Sequence, residues 1–259
     1  LRPKACVRKK SRAMFRSGGP VDFQRPAVVF EGCKLVVIDN GKSRMGTEKF
    51  GADLPMTPEE NFVKAVYSSV DEAVAGVLDR LRSEDGIVPS CKLGCCHCCR
   101  YHIVINIAEA RALAQYVKRE FSPEQRKDLR MRTQRWHEWN DSLRGRSPSA
   151  NTAGQADPSH YDPCCPLLVN GACSAYAVRP VVCRTHFVSS HPLACHAAND
   201  PESAEKPPLV IELVLKVTNP LALAIKDHIE KAGLDYSRSM NLLPQGLAIE
   251  MGWDFAVSP

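Results

Sequence analysis

Apolar side chains recur at three- and four-residue steps in several stretches of the chain, as expected for helices with one buried face. The clearest stretch opens with Thr57, Pro58 and Glu60, which supply an N-cap, a proline at the first helical position and the acidic residue of a capping box. Gly86 is expected to end this helix, because glycine readily adopts the left-handed conformation found at helix ends. The predicted apolar face consists of Phe62, Val66, Val70, Ala73, Val77 and Leu81.

Similar signals predict further helices downstream. Asn106, with Glu109 three positions later, predicts a helix as far as about Glu120, and Ser122-Pro123 opens a third helix. Near the end of the chain, 209–217 and 219–232 are predicted as two separate helices. The segment 144–161 is polar and rich in helix breakers, which is typical of a surface loop.

Strand signals are few. Residues 27–30 and 34–38 are compatible with a hairpin around 31–33. Asn170-Gly171 is the strongest short hairpin-turn signal in the chain and is expected to fold 167–169 back toward 172–174. Helices dominate the pattern, so the predicted fold is mostly α-helical.

Composition adds a boundary to this picture. The fractions of hydrophobic residues, 44%, and charged residues, 24%, are ordinary for a folded protein. Residues 1–55 hold 12 Lys and Arg against 5 Asp and Glu, which leaves 22 basic and 24 acidic side chains in the remainder. We therefore expect 1–55 to be a basic leader, poorly ordered or not part of the domain, with Met56 as one hypothesis for the native start. Residues 56–259 are expected to form the domain, and their charge balance argues against a nucleic-acid partner.

The chain contains no run of about 18 apolar residues, so no membrane association is expected. Its basic start lacks the apolar stretch of a secretory signal. The resulting expectation is a cytoplasmic, reducing location, where cysteines are more often metal ligands or redox groups than disulfides. The 12 cysteines among 259 residues are too sparse for a disulfide scaffold, but they are strongly clustered.

The densest group of cysteines has the sequence CKLGCCHCC at positions 91–99. Cys95 with Cys98, and Cys96 with Cys99, have the two-residue spacing of a metal-binding knuckle, in which a tight turn brings two thiolates together. Adjacent residues seldom point the same way. Cys98 and Cys99 are therefore expected to serve different faces of one cluster, or different metals.

A second group surrounds the predicted hairpin turn. The turn would bring Cys165 close to Cys173, and Arg179-Pro180 predicts a turn or a helix start before Cys183. Three thiols are thus expected to converge from one compact unit. A weaker scatter follows, which consists of His186, His191, Cys195 and His196.

Two other interpretations of the cysteines are less well supported. Free cysteines are often buried as small apolar residues, which is the expectation for Cys6, Cys33 and Cys195 taken singly. Disulfides would need an oxidising compartment, and adjacent cysteines have poor geometry for them. The density of both groups favours metal binding.

The order of these motifs resembles the YkgJ-type cysteine cluster family, also called the CxxCxxCC or zinc- or iron-chelating domain, over about 91–187. The resemblance implies a metal site more than an activity: members are described as metal-chelating or as iron–sulfur oxidoreductases, and a similar cluster occurs in flagellin lysine methylases. This chain departs from the pattern by a three-residue first gap and by the additional Cys96 and Cys164. The candidate metal ligands are Cys91, Cys95, Cys98, Cys99, Cys165, Cys173 and Cys183; the other matching positions are Pro166, Leu168, Tyr176, Arg179, Pro180 and Arg184.

The metal itself is left open between an iron–sulfur cluster and zinc, with iron–sulfur favoured. Seven candidate thiolates are too many for one zinc ion, which takes four ligands. Either two sites are present, or one cluster with spare redox thiols. Crowded thiolates repel one another, and we expect Arg179 and Arg184 to offset their charge beside the cofactor.

We therefore expect a small helical domain with a short β-hairpin, organised around a cysteine metal site. The leading hypothesis is an intracellular metal-cluster protein with a redox or electron-transfer role and an unknown protein or redox partner; activity as an iron–sulfur oxidoreductase is left open. The alternative is a zinc-stabilised structural or interaction module without catalytic activity. A protein- or small-molecule-modifying enzyme ranks last, because the sequence has no cofactor loop for a methyl donor.

Overall fold

The structure is a computed structural model that describes residues 28–31, 34–37, 55–92, 94–142, 164–198 and 206–255. The chain divides into two compact units, Leu1–Thr47 and Glu48–Pro259. In the first unit, strand β1 (Val28–Glu31) pairs antiparallel with β2 (Lys34–Val37), which confirms the predicted hairpin. The predicted loop 144–161 lies outside the described residues.

The second unit opens with the three predicted helices: α1 (Pro58–Glu84), α2 (Ile107–Glu120) and α3 (Pro123–Ser142). Thr57 caps α1 and Asn106 caps α2, each in a complete capping box with the glutamate three positions later. The local signals at these helix starts were therefore sufficient to place them.

Short elements connect these helices to the rest of the unit. Strand β3 (Val104–Ile105) precedes α2, and the strands β4 (Leu168–Val169) and β5 (Ala172–Cys173) form the hairpin predicted at Asn170-Gly171. Helix α4 (Val181–Thr185) begins directly after Pro180, as expected, whereas α5 (Pro192–Ala197) was not predicted.

The two helices predicted near the end of the chain are wrong. One continuous helix, α6 (Glu212–Lys231), contains Pro220 in its interior, and residues 209–211 are not helical. The buried face of α6 continues past the proline, with Val214 before it and Ile225 after it, and packs against α1. Burial of that face offsets the backbone hydrogen bond that proline removes. Strand β6 (Asn241–Leu242), which pairs with β3, and helix α7 (Leu243–Met251) complete the unit and were not predicted.

Helix α2 lies between two groups of buried apolar residues. Ala108 and Ala112 face a core built by α1 and α6, while Leu113 and Val117 face a second core that includes α7. Within the described residues, the chain has seven α-helices and only short two-stranded pairings, so the fold is mostly α. None of the helices in this described part is both long and apolar enough to cross a membrane.

Candidate metal centre

The first cysteine segment forms two consecutive tight turns. The Cys95 N–H donates to Lys92 O at 2.9 Å, and Gly94 between them has φ = 83°, a conformation that favours glycine. The Cys99 N–H then donates to Cys96 O at 3.1 Å, at the start of a 3-10 turn over His97–Arg100. The predicted knuckle spacing therefore corresponds to real turns of the backbone.

The second segment is shaped by its hairpin. Asn170 and Gly171 both have positive φ, 51° and 80°, the conformation of a two-residue primed turn. Leu168 is paired with Cys173 in the strand register. Cys165 and Cys173 pack against the same apolar core, and Cys173 adds to the effect of burial in raising the pKa of Cys165, as expected if the hairpin brings them close.

Cys183 is positioned by a buried carboxylate on a different helix. The Val181 N–H, in the first turn of α4, donates to Glu109 Oε1 at 2.8 Å, and the hydroxyl of Tyr67 on α1 donates to the same oxygen at 3.3 Å. Glu109 is only 5% exposed. Its carboxylate therefore closes the capping box of α2 and also fixes the start of α4, two residues before Cys183.

The two cysteine segments meet through their backbones and their sulfurs. The Cys165 N–H donates to Cys99 O at 2.8 Å. Besides the Cys98 thiol and burial, the neighbouring Cys165 and Cys173 raise the pKa of Cys99, and Cys165, Cys98 and Cys173 add to the effect of burial in raising the pKa of Cys183. We call Cys99, Cys165, Cys173 and Cys183 the inner thiols. Cys99 precedes the other three by 66 positions or more, and the fold brings the two segments together.

Three of the inner thiols, Cys99, Cys165 and Cys183, have raised pKa values. Burial raises the pKa of Cys165 to about 12, and burial also raises the pKa of Cys183. The thiol of Cys99 donates a hydrogen bond to the sulfur of Cys98, which lowers the pKa of Cys98 and raises that of Cys99. The adjacent Cys98 and Cys99 therefore contact each other, and their service of different faces of one cluster, or of different metals, stays a prediction. A metal that binds here must displace protons from the buried thiols.

A second group, which we call the outer thiols, consists of Cys91, Cys95 and Cys195. Cys195 on α5 lies within electrostatic range of Cys91 and Cys95, and Cys91 is in turn within range of Cys95. Cys98 interacts with members of both groups. The sequence had assigned Cys195 to ordinary burial; it is buried, but beside other thiols.

The two arginines assigned to the cofactor differ in their surroundings. The Arg184 guanidinium stacks over the ring of Tyr67, pairs with Asp71, and donates to the carbonyls of Ala177 and Arg179. It is 4% exposed and connects α4 to α1. The charge of Arg179, by contrast, adds to the Cys99 hydrogen bond in lowering the pKa of Cys98, and it opposes the rise that burial causes in the pKa of Cys183. Arg179 is thus the better placed of the two to offset thiolate charge.

The donor set suits a thiophilic metal. Sulfur and imidazole are the ligands preferred by zinc and by iron–sulfur clusters, and the described site includes a buried imidazole atom, Nε2 of His186, that has no hydrogen-bond partner among the described residues. In that same part of the chain, no three His, Cys, Asp or Glu side chains stand in a metal-coordinating arrangement. Binding of a metal would therefore require these side chains to rearrange.

Comparison with known proteins adds no assignment: no family model, curated protein or solved structure matches this chain. The resemblance to the YkgJ-type family stays a prediction. Sequence reasoning missed the role of Glu109, which it identified only as a capping residue, and it set aside Cys195. The signal for His186 was its position three residues after Cys183, directly after the end of α4.

Proposed function

We propose that this chain is a metal-binding protein in which thiolates from two distant segments share one centre, with an iron–sulfur cluster as the favoured occupant. The observation that carries the proposal is the hydrogen bond from the Cys165 N–H to Cys99 O at 2.8 Å, together with the electrostatic contacts among the four inner thiols. Four cysteines are the number that a cubane cluster or a structural zinc ion requires.

The surroundings of the inner thiols favour a redox role. Cys165 and Cys173 pack against the second apolar core, and Arg179 supplies positive charge beside Cys98 and Cys183. A partly apolar setting and nearby charge are the features that tune the potential of a cluster. An iron–sulfur cluster would supply one-electron transfer to or from a redox partner. We infer a cytoplasmic location, since such clusters and free thiols persist in reducing compartments.

The second candidate function is a zinc-stabilised structural or interaction module. It is favoured by the small size of the elements that carry the cysteines: α4 has 5 residues, and β4 and β5 have 2 each. Elements of this length are not stable alone. Zinc could hold them together without any chemistry, as in small zinc domains.

The two candidates separate in one experiment. The full chain is purified without oxygen, and iron, acid-labile sulfide and zinc are measured together with the visible absorbance spectrum. Iron and sulfide in equal amounts, with absorbance that disappears on exposure to oxygen, would support the cluster. A colourless protein containing zinc would support the zinc-stabilised module. A protein that binds neither metal would refute both candidate functions.

A further inference from the structure

The segment between strand β5 and helix α4 carries an arginine that lacks an acceptor. The Arg179 guanidinium lies over the ring of Tyr176, with Cζ 4.1 Å from the ring centroid. Its Nε atom is buried and has no hydrogen-bond partner, and no carboxylate of the described residues forms an ion pair with it. Arg184, by contrast, pairs with Asp71. A buried donor without an acceptor is costly, so an anionic group that reaches Arg179 would gain a bond.

The same pair is accessible from solvent. Tyr176 is 51% exposed, and Arg179 is only half-buried. Val182, three residues further along, is 45% exposed and directly precedes Cys183. Tyrosine and arginine are the side chains that most often dominate the energy of a protein interface. The surface of this segment therefore has the composition of a binding site for another protein.

The backbone that carries Tyr176 and Arg179 is held from the protein interior. Arg184 is 4% exposed, and its Nε donates to Arg179 O at 2.7 Å. A second nitrogen of the same guanidinium donates to Ala177 O. A surface that is already fixed in this way loses little conformational entropy when a partner binds. The stacked pair is therefore pre-organised for binding.

A carboxylate on a protein fits these contacts best. A guanidinium binds a carboxylate through two parallel hydrogen bonds, and stacking on an aromatic ring fixes the plane in which those bonds lie. A free anion would use the charge of Arg179 alone. An acidic side chain on a folded partner would also bring apolar groups against Tyr176 and Val182, and would bury them.

We propose that Tyr176, Arg179 and Val182 form a docking surface for a protein partner that presents an Asp or Glu side chain beside an apolar residue. The inference rests on the proposed function only for the task of this partner, which would be electron exchange with the inner thiol centre. The surface itself does not depend on which metal is bound. Because Val182 directly precedes Cys183, the partner would lie beside a segment that carries an inner thiol.

Peptide selection on the full chain tests the docking surface. A display library of random-sequence peptides is selected against the wild-type chain at low ionic strength, and the affinity of each selected peptide is measured by fluorescence anisotropy. The test variants are Arg179→Gln and Tyr176→Ala. The matched controls are Arg130→Gln, which removes an exposed arginine on α3, and Tyr176→Phe, which keeps the ring. Circular dichroism and elemental analysis report the folding and metal content of every variant.

We expect the selected peptides to share an Asp or Glu next to an apolar residue. Each test variant should bind them at least tenfold more weakly, whereas both controls should bind them as the wild-type chain does. Replacing the acidic residue of the peptide by its amide should cause a similar loss, and added salt should weaken binding.

Three results would overturn the docking surface: no selected peptide, selected peptides without an acidic residue, or unchanged affinity in either test variant. Inorganic phosphate that binds as tightly as the peptides and is lost in Arg179→Gln would also overturn it, because the site would then take a free anion. A chain that binds the peptides but contains no metal would refute the proposed function and keep the docking surface. A chain that contains metal but binds no peptide would do the reverse.

Discussion

Helices α1, α2 and α6, which we call the helical layer, and the cysteine-bearing segments of the second unit are stabilised in different ways. Helices α1 and α6 are 27 and 20 residues long and bury continuous apolar faces against each other. The elements that carry Cys173, Cys183 and Cys195 are 2, 5 and 6 residues long. Hydrophobic burial can hold the first region together, whereas the second depends on individual hydrogen bonds and, in our proposal, on metal.

Two buried polar residues join these regions. Glu109 on α2 accepts the Val181 N–H, and Arg184 on α4 pairs with Asp71 and stacks over Tyr67 on α1. Both contacts run from the helical layer to α4. The helical layer should therefore fold without the cysteines, while the placement of Cys183 should depend on the helical layer. The predictions below test this asymmetry.

Metal removal should have the largest effect. Thiolate-bound structural metals contribute on the order of 10 kcal/mol to the folding of small domains. A strong chelator should therefore release the segment 164–198, while α1 and α6 keep their structure. Hydrogen exchange measured by mass spectrometry should show faster exchange in 164–198 and unchanged protection in 63–81. Equal loss of protection in both regions would show that the helical layer and the segment 164–198 unfold together.

Substitution in the helical core should affect stability and spare the site. Ile225 on α6 is 1% exposed, and truncating such a side chain costs about 2–5 kcal/mol through lost burial and a cavity. Ile225→Ala should lower the free energy of unfolding measured in urea by this amount, with the metal content of the folded protein unchanged. Leu223→Ala, at a half-exposed position on the same helix, is the control and should cost less than about 0.5 kcal/mol. Loss of metal in Ile225→Ala would contradict the asymmetry.

Substitution of the connecting carboxylate should affect both regions. Glu109→Ala leaves the Val181 N–H and the Tyr67 hydroxyl without their acceptor, and a buried unpaired group costs about 1–3 kcal/mol. Since α4 loses its fixed start, the metal content should also fall. Gln125→Ala is the matched control, because Gln125 holds the equivalent position in the exposed cap of α3, where its side chain accepts the Ser122 N–H at 2.8 Å. That variant should lose stability only; metal loss in both variants would remove the special role of Glu109.

The smallest effect is expected at Tyr67. Tyr67→Phe removes the hydroxyl hydrogen bond to Glu109 but keeps the ring beneath Arg184, so the cost should be about 0.5–1.5 kcal/mol. If the two residues act through that bond, the double variant Tyr67→Phe/Glu109→Ala should lose less stability than the sum of the single variants. Strict additivity, measured by urea unfolding, would show that the bond does not couple α1 to α4.

The sequence predicted features that depend on local chemistry. Thr57 and Asn106 marked helix starts through capping boxes, and Asn170-Gly171 marked the hairpin, because these signals act within four residues. The predicted hairpin in turn implied that Cys165 and Cys173 lie close together. The convergence of the first cysteine segment with the second was an inference from composition, which the backbone contact between Cys99 and Cys165 now supports.

Features that depend on tertiary packing were missed. Pro220 suggested a break, but α6 stays continuous because its apolar face is buried on both sides of the proline. The second role of Glu109 requires α4 to lie against α2, and the proximity of Cys195 to Cys91 requires α5 to lie against the first cysteine segment. Sequence spacing carries no information about these contacts.

The central claim is that sulfurs from both cysteine segments share one inner centre. Its most direct test is the metal content of Cys99→Ser, Cys165→Ser and the double variant, with Cys33→Ser as the control in the first unit. A shared centre predicts that each single variant loses the same metal and that the double variant loses no more than either. If the losses of the two single variants add up in the double variant, the segments bind separate metals and the claim is contradicted.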